Sequence, residues 1–154
     1  MIKTQTFISP ENWYSLEYPR TWEMEVIDGI PCFFDGILGF GGALQILSAK
    51  IDGIPSEEIL KISPYLKGET LSEKLSLFLS LQGARIDEKN LQIFIRDQTD
   101  IAACEYRLDG HFFLTLMAER SGIFVLALYN CKGEPIPEEA AQVSRILQSL
   151  AILK

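Results

Sequence analysis

The chain contains one histidine, three cysteines and no two adjacent basic residues. Each scarcity removes a class of function. With His111 alone, a histidine-dependent triad has one place to sit, and a metal site built from several imidazoles is excluded. Cys32, Cys104 and Cys131 are an odd number without metal-type spacing, so neither a fully paired disulfide framework nor a cysteine metal site is expected. Fourteen Lys and Arg against twenty-one Asp and Glu leave a net charge of −7. Nucleic acid requires a clustered positive surface, and the scattered bases supply none. Long apolar runs are missing too. The longest weakly charged stretch, Ile30–Leu47, is interrupted by Asp35, a proline and four glycines, whereas a membrane span needs about 20 mostly apolar residues. The opening MIKTQTFISPENW lacks the apolar core of a signal peptide. These absences predict a cytoplasmic chain without a membrane span, its thiols reduced and buried.

What is present suits a globular protein. Of 154 residues, 47% are hydrophobic and 23% charged, which predicts a single domain over 1–154. Short strands are expected at Thr4–Ile8, Trp13–Tyr18, Trp22–Ile27, Ile30–Asp35 and Gly42–Lys50, with Asp28-Gly29 as a two-residue turn. A helix should open at Pro55-Ser56-Glu57-Glu58, and Pro64 should end or kink it. Thr70 and Glu73 form a capping box for a second helix reaching about Gln82, with Gly83 beyond it. Then come Leu91–Arg96, a polar turn over Asp97–Asp100, and Ile101–Leu108. Asp109-Gly110 pairs Leu108 with His111, Tyr106 with Phe113 and Cys104 with Thr115. The segments at 112–118 and 123–129 are apolar on both faces and should be central strands covered on both sides. A last helix starts at Pro137, with Val143, Ile146, Leu147, Leu150 and Leu153 on one face and Lys154 closing it. The expected architecture is α+β: a three-layer α/β/α sandwich whose mostly antiparallel sheet ends in a C-terminal meander.

This order of elements resembles the PsbP-like, Mog-type α/β/α sandwich. The local likeness is Trp13-Tyr14-Ser15-Leu16-Glu17-Tyr18-Pro19 followed by Trp22, with Tyr129 ending a strand and Ser149-Leu150 ending the last helix. That fold includes photosystem II extrinsic proteins, a Ran-binding transport factor, DcrB-like proteins and chaperones for apolar helices of secreted effectors. The resemblance implies binding without catalysis and carries over no functional residue.

No nucleophile elbow, P-loop, dinucleotide fingerprint or calcium loop is present. Gly36-Ile37-Leu38-Gly39-Phe40-Gly41-Gly42 is followed by a strand, not by the helix a phosphate cradle needs. His111 flanks a turn, and Cys131 lies beside Phe112, whose side chain points away from that of His111. Paired acids at Glu57-Glu58, Asp87-Glu88 and Glu138-Glu139 read as solvated helix starts or loop residues. Glu105 and Arg107 share a strand face, as an ion pair or an edge position. No enzyme, metal or cofactor is expected.

Two apolar surfaces remain as candidate binding sites. One is Phe33, Phe34, Ile37, Leu38 and Phe40 around the glycine-rich loop. The other is Leu77 and Leu81, which widen the apolar arc of the helix beyond the ~100° a surface helix uses. The function expected is a binding or adaptor protein, chaperone-like toward an apolar peptide or helix of a protein partner, with self-association into a homodimer as one candidate arrangement. The alternative is a small-ligand carrier with a pocket between sheet and helices.

Overall fold

Four two-residue turns set the register of the chain. Asp28-Gly29, Asp97-Gln98, Asp109-Gly110 and Ser121-Gly122 all have positive φ at both residues, the backbone of a type I′ hairpin turn whose twist matches that of the strands. Asp97-Gln98 is the instructive one. The sequence predicts a polar turn of four residues, but Asp97 and Gln98 both take the left-handed region and the next strand starts at Thr99. Asp tolerates that region better than most residues, and the hairpin imposes it on Gln98.

A computed structural model describes residues 3–36, 41–51, 56–85 and 87–153. Its strands are β1 (Thr4–Ile8), β2 (Tyr14–Pro19), β3 (Trp22–Ile27), β4 (Ile30–Asp35), β5 (Ala43–Lys50), β6 (Leu91–Arg96), β7 (Thr99–Leu108), β8 (His111–Arg120), β9 (Ile123–Lys132) and β10 (Ala151–Ile152). The helices are α1 (Glu57–Ile62), α2 (Leu71–Leu81) and α3 (Pro137–Ser149), with a 3-10 turn at Pro64–Lys67. The fold is α+β and dominated by antiparallel sheet. Seven strands run in the order β3-β4-β5-β9-β8-β7-β6, and a separate three-stranded sheet is ordered β1-β2-β10. The register across Asp109-Gly110 pairs Leu108 with His111, Tyr106 with Phe113 and Cys104 with Thr115, as expected.

β9 explains where the core lies. Ile123, Val125, Ala127 and Tyr129 point to one face, under Val143, Ile146, Leu147 and Leu150 of the α3 region. Phe124 and Leu126 point to the other, against Leu75, Phe78 and Leu79 of α2 and Tyr65 and Leu66 of the 3-10 turn. Thr70 caps α2 by accepting from Glu73 N at 3.1 Å. The return bond runs from Glu69 N, rather than Thr70 N, to Glu73 Oε2 at 3.2 Å.

Two expectations are corrected. The first strands do not share one sheet, because β2 pairs with β1 on one side and β10 on the other, and these stand apart from β3–β5. The last helix does not run to the C-terminus. It stops at Ser149, and Leu150 turns extended with ψ 124°. The reason is a competing set of partners. Arg96 Nη2 donates to Leu147 O (3.2 Å) and Leu150 O (2.9 Å), satisfying carbonyls a helix end leaves bare. Ala151 and Ile152 then pair with Ser15 and Tyr14, and Leu153 N donates to Trp13 O. Leu153 is therefore 43% exposed instead of buried under a helix. Lys154 lies outside the described residues.

A candidate binding groove between α3 and the sheet

α3 packs against β2 as well as the large sheet, and so lies toward one side of the sheet face. The sheet beyond it, built by β6, β7 and β8, stays open. The result is a groove of about 540 Å³. Its accessible floor is Phe94, Ala103 and Leu114, backed by the buried Phe112 and Leu116, and its wall is Ala140 and Ser144 of α3, backed by the buried Val143 and Leu147. Polar groups sit at its margin: Lys89, Asn90 and Gln92 at one end, Gln148 on the helix, and Glu105 beside Leu114. Apolar floor and polar rim are what a site for an apolar ligand needs.

One end of the groove is held by a buried carboxyl. Glu139, in the first turn of α3, is 1% exposed. Its Oε2 accepts from the Tyr129 hydroxyl and from Gly42 N at 2.8 Å. Its Oε1 has no hydrogen-bond partner among the described residues. Burial above all, and then the carboxyl it donates to, push the Tyr129 phenol far above its ordinary range. Gln142, one turn along, accepts from Trp22 Nε1 in the same way. So two polar side chains aimed into the core are each matched to an aromatic donor.

Gly41 and Gly42 make this contact possible. A Cβ at Gly41 would lie 1.7 Å from Glu139 Oε1, and one at Gly42 would lie 2.1 Å from Asn130 O. The sequence associates these glycines with easy rearrangement, whereas their places beside Glu139 and β9 require the absence of a side chain.

Arg107 and Glu134 form a bidentate pair at the surface (2.7 and 2.8 Å), and the guanidinium lies 5.2 Å from the Phe112 ring centre. Arg107 therefore pairs with Glu134 across a loop. Chemistry is sparse elsewhere. Burial raises the thiols of Cys32, Cys104 and Cys131, and all three are free and buried. His111 Nδ1 is 3.2 Å from the Asp109 carbonyl, on the strand face opposite Cys131. Among the described residues, no group of three or more His, Cys, Asp or Glu is placed to hold a metal ion.

The candidate residues taken from the sequence fall in different places. Phe33 is fully buried, edge-on to Phe7 at 5.3 Å and Tyr18 at 5.0 Å. Phe34 points to the opposite face and is half-buried. Ile37, Leu38 and Phe40 lie outside the described residues. Leu77 (40% exposed) and Leu81 (60%) stand on α2, on the far side of the sheet from the groove. The 3-10 turn reaches Phe78 and leaves these two leucines open. Of the described candidates, none of Phe33, Phe34, Leu77 and Leu81 lines the groove. The groove residues Phe94, Leu114 and Ser144 escape the sequence reading. A signal existed in Ile93-Phe94-Ile95, three apolar residues in a row in a strand that one-sided burial would have made alternate.

No family model matches the sequence, and no curated protein matches it. Solved structures do. Cyanobacterial PsbP from Synechocystis sp. PCC 6803 matches 99% of this chain over 94% of its own, with a TM-score of 0.68 and 14% identity. A protein from Bacteroides thetaiotaomicron VPI-5482 matches the whole chain over 50% of its own, with a TM-score of 0.59 and 15% identity. The Saccharomyces cerevisiae Ran-binding protein Mog1p matches the whole chain over 97% of its own, with a TM-score of 0.51 and 10% identity. At such identities the likeness is one of fold, and the chain resembles PsbP and Mog1p in fold.

Proposed function

We propose that this protein is a non-enzymatic binding or adaptor protein that takes an apolar segment of a protein partner, chaperone-like, into the groove between α3 and β6–β8. The observation that carries the reading is the open apolar floor with a polar rim. A neighbour in fold described as Ran-binding supports a protein partner by analogy. In this reading the chain is one domain, a three-layer sandwich with a C-terminal meander. Its location is the cytoplasm, which three reduced, buried thiols support. No helix among the described residues is long and apolar enough to cross a membrane.

The segment with Ile37, Leu38 and Phe40 belongs to the proposal as a second contact. What supports this is the described residue Gly42, which donates to Glu139, whose neighbour Ala140 lines the groove. Leu77 and Leu81 are a further candidate contact on the opposite side.

The test is a fluorescence-anisotropy titration with a labelled apolar helical peptide. Ser144 is exposed and lines the wall, so Ser144→Arg fills the groove without touching the core. We expect Ser144→Arg to weaken peptide binding at least tenfold with an unchanged melting temperature. Phe40→Ser should weaken it less and also leave the melting temperature nearly unchanged. Equal binding by wild type and Ser144→Arg places the site elsewhere. A small hydrophobic molecule retained in native mass spectrometry, with no peptide binding, favours a small-ligand carrier.

A further inference from the structure

The two edges of the seven-stranded sheet differ. β3, at one edge, alternates Glu23 and Glu25 with its apolar residues, and charge on an edge strand discourages further pairing. β6, at the other edge, reads Leu-Gln-Ile-Phe-Ile-Arg. Its Ile93 is 59% exposed, Phe94 39% and Ile95 73%. Its one charge, Arg96, is spent on the carbonyls at the end of α3. Among the described residues no strand pairs with its outer side. An apolar edge of this kind templates another strand.

We propose that the chain self-associates through β6 as a twofold dimer, joining two seven-stranded sheets into one. Phe94 belongs to both surfaces, but pairing of this edge requires nothing bound in the groove. The two-residue turn Asp97-Gln98 makes Arg96 and Thr99 a hydrogen-bonded pair, and alternation then points the N–H and C=O of Leu91, Ile93 and Ile95 out of the edge. Residues opposite each other in an antiparallel pair share a face, so a twofold axis normal to the sheet must pass beside a residue and not between two. Centred on Phe94, the axis sets Ile93 against Ile95 of the second copy, and the reverse, with their main-chain groups bonding reciprocally. The four isoleucines cluster on the α2 face, and the two Phe94 rings meet on the α3 face. Arg96 then opposes Gln92 of the second copy, so no like charges meet. Centring on Ile93 instead sets Gln92 against Phe94, a poorer match.

The area involved sets the strength. The three exposed side chains offer on the order of 300 Å² of apolar surface per copy. Over both copies that is about 600 Å², well below the roughly 1,200 Å² low end of specific interfaces, so the dimer is weak and reversible, with a dissociation constant in the micromolar range or weaker.

Sedimentation of the full chain from about 500 to about 5 µM brackets that range and should show a monomer–dimer equilibrium. Ile95→Lys should raise the dissociation constant at least tenfold with an unchanged melting temperature. Because Ile95 faces away from the groove, peptide binding by this variant reports on the groove separately. The native cysteines are buried, so under mild oxidation Phe94→Cys should give a disulfide-linked dimer, and Leu81→Cys should not. Directly opposed residues of a non-hydrogen-bonded pair have Cα atoms ~4.5 Å apart, within disulfide reach. A wild type that stays monomeric at the highest concentration overturns the proposal. So does a dimer insensitive to Ile95→Lys, or linkage at position 81 and not at 94.

Discussion

Gly42 shows how a single residue can serve a purpose its composition does not reveal. In isolation it belongs to a glycine-rich run, and glycine implies freedom. In the fold it sits against the Asn130 carbonyl and donates to Glu139. Gly42→Ala should therefore destabilise by about 2 kcal/mol or more, as overpacking against backbone does, and equilibrium denaturation would read it. A loss under 0.5 kcal/mol would show that β9 yields easily at this point. Cys104 makes the opposite case, a residue whose fate the sequence foretells. Its place between Ala102 and Tyr106 in an apolar strand predicts burial, and it is 1% exposed with its thiol raised. Native protein should leave Cys104 unlabelled by a thiol reagent over a period in which denatured protein reacts completely. Rapid native labelling would contradict the packing of β7 under α2.

Among the elements, α2 is fixed to the sheet by more than leucines. Lys74 is 5% exposed, and its Nζ lies 2.8 Å from Glu119 on β8 and 5.9 Å from the Phe124 ring centre. A buried ion pair adds little over an apolar substitute, but stranding one member is costly. Glu119→Ala should cost about 3 kcal/mol, by leaving the ammonium unpaired, while Lys74→Met should fall within about 1 kcal/mol of wild type. Chemical denaturation of both variants checks the asymmetry, and equal losses would refute it. The end of α3 marks where element-level reading fails. Val143, Ile146, Leu147, Leu150 and Leu153 keep a helical period, and nothing local in the sequence stops the helix. What stops it is distant: Arg96 on β6, and β2, whose free edge takes Ala151 and Ile152.

For the whole molecule, legibility followed locality. Turns read well because Asp-Gly chemistry acts over two residues, and the pairing of β7 with β8 came out in register from Asp109-Gly110 alone. The burial of β9 on both faces also followed from its own composition. The division into two sheets did not, because β2 and β3 are each plausible neighbours of either sheet until α3 is placed. A pocket between sheet and helices was one of the two expectations, but the residues that form it escaped for the same reason. The groove exists only because α3 packs toward β2 and leaves β6–β8 open, so its residues carry no common mark in sequence. Phe33 misled in the other direction, since an apolar residue beside a glycine-rich loop looks like surface until Phe7 and Tyr18 pack against it.

The claim that this open floor is the working surface is tested most directly by methyl NMR of the full chain, titrated with the apolar helical peptide. The account predicts shifts concentrated at Leu114, Leu116, Val143 and Leu147, which line the groove, and quiet signals from Leu75 and Leu79 on the buried face of α2. Shifts confined to Leu77 and Leu81, or no methyl shifts at saturating peptide, would contradict it.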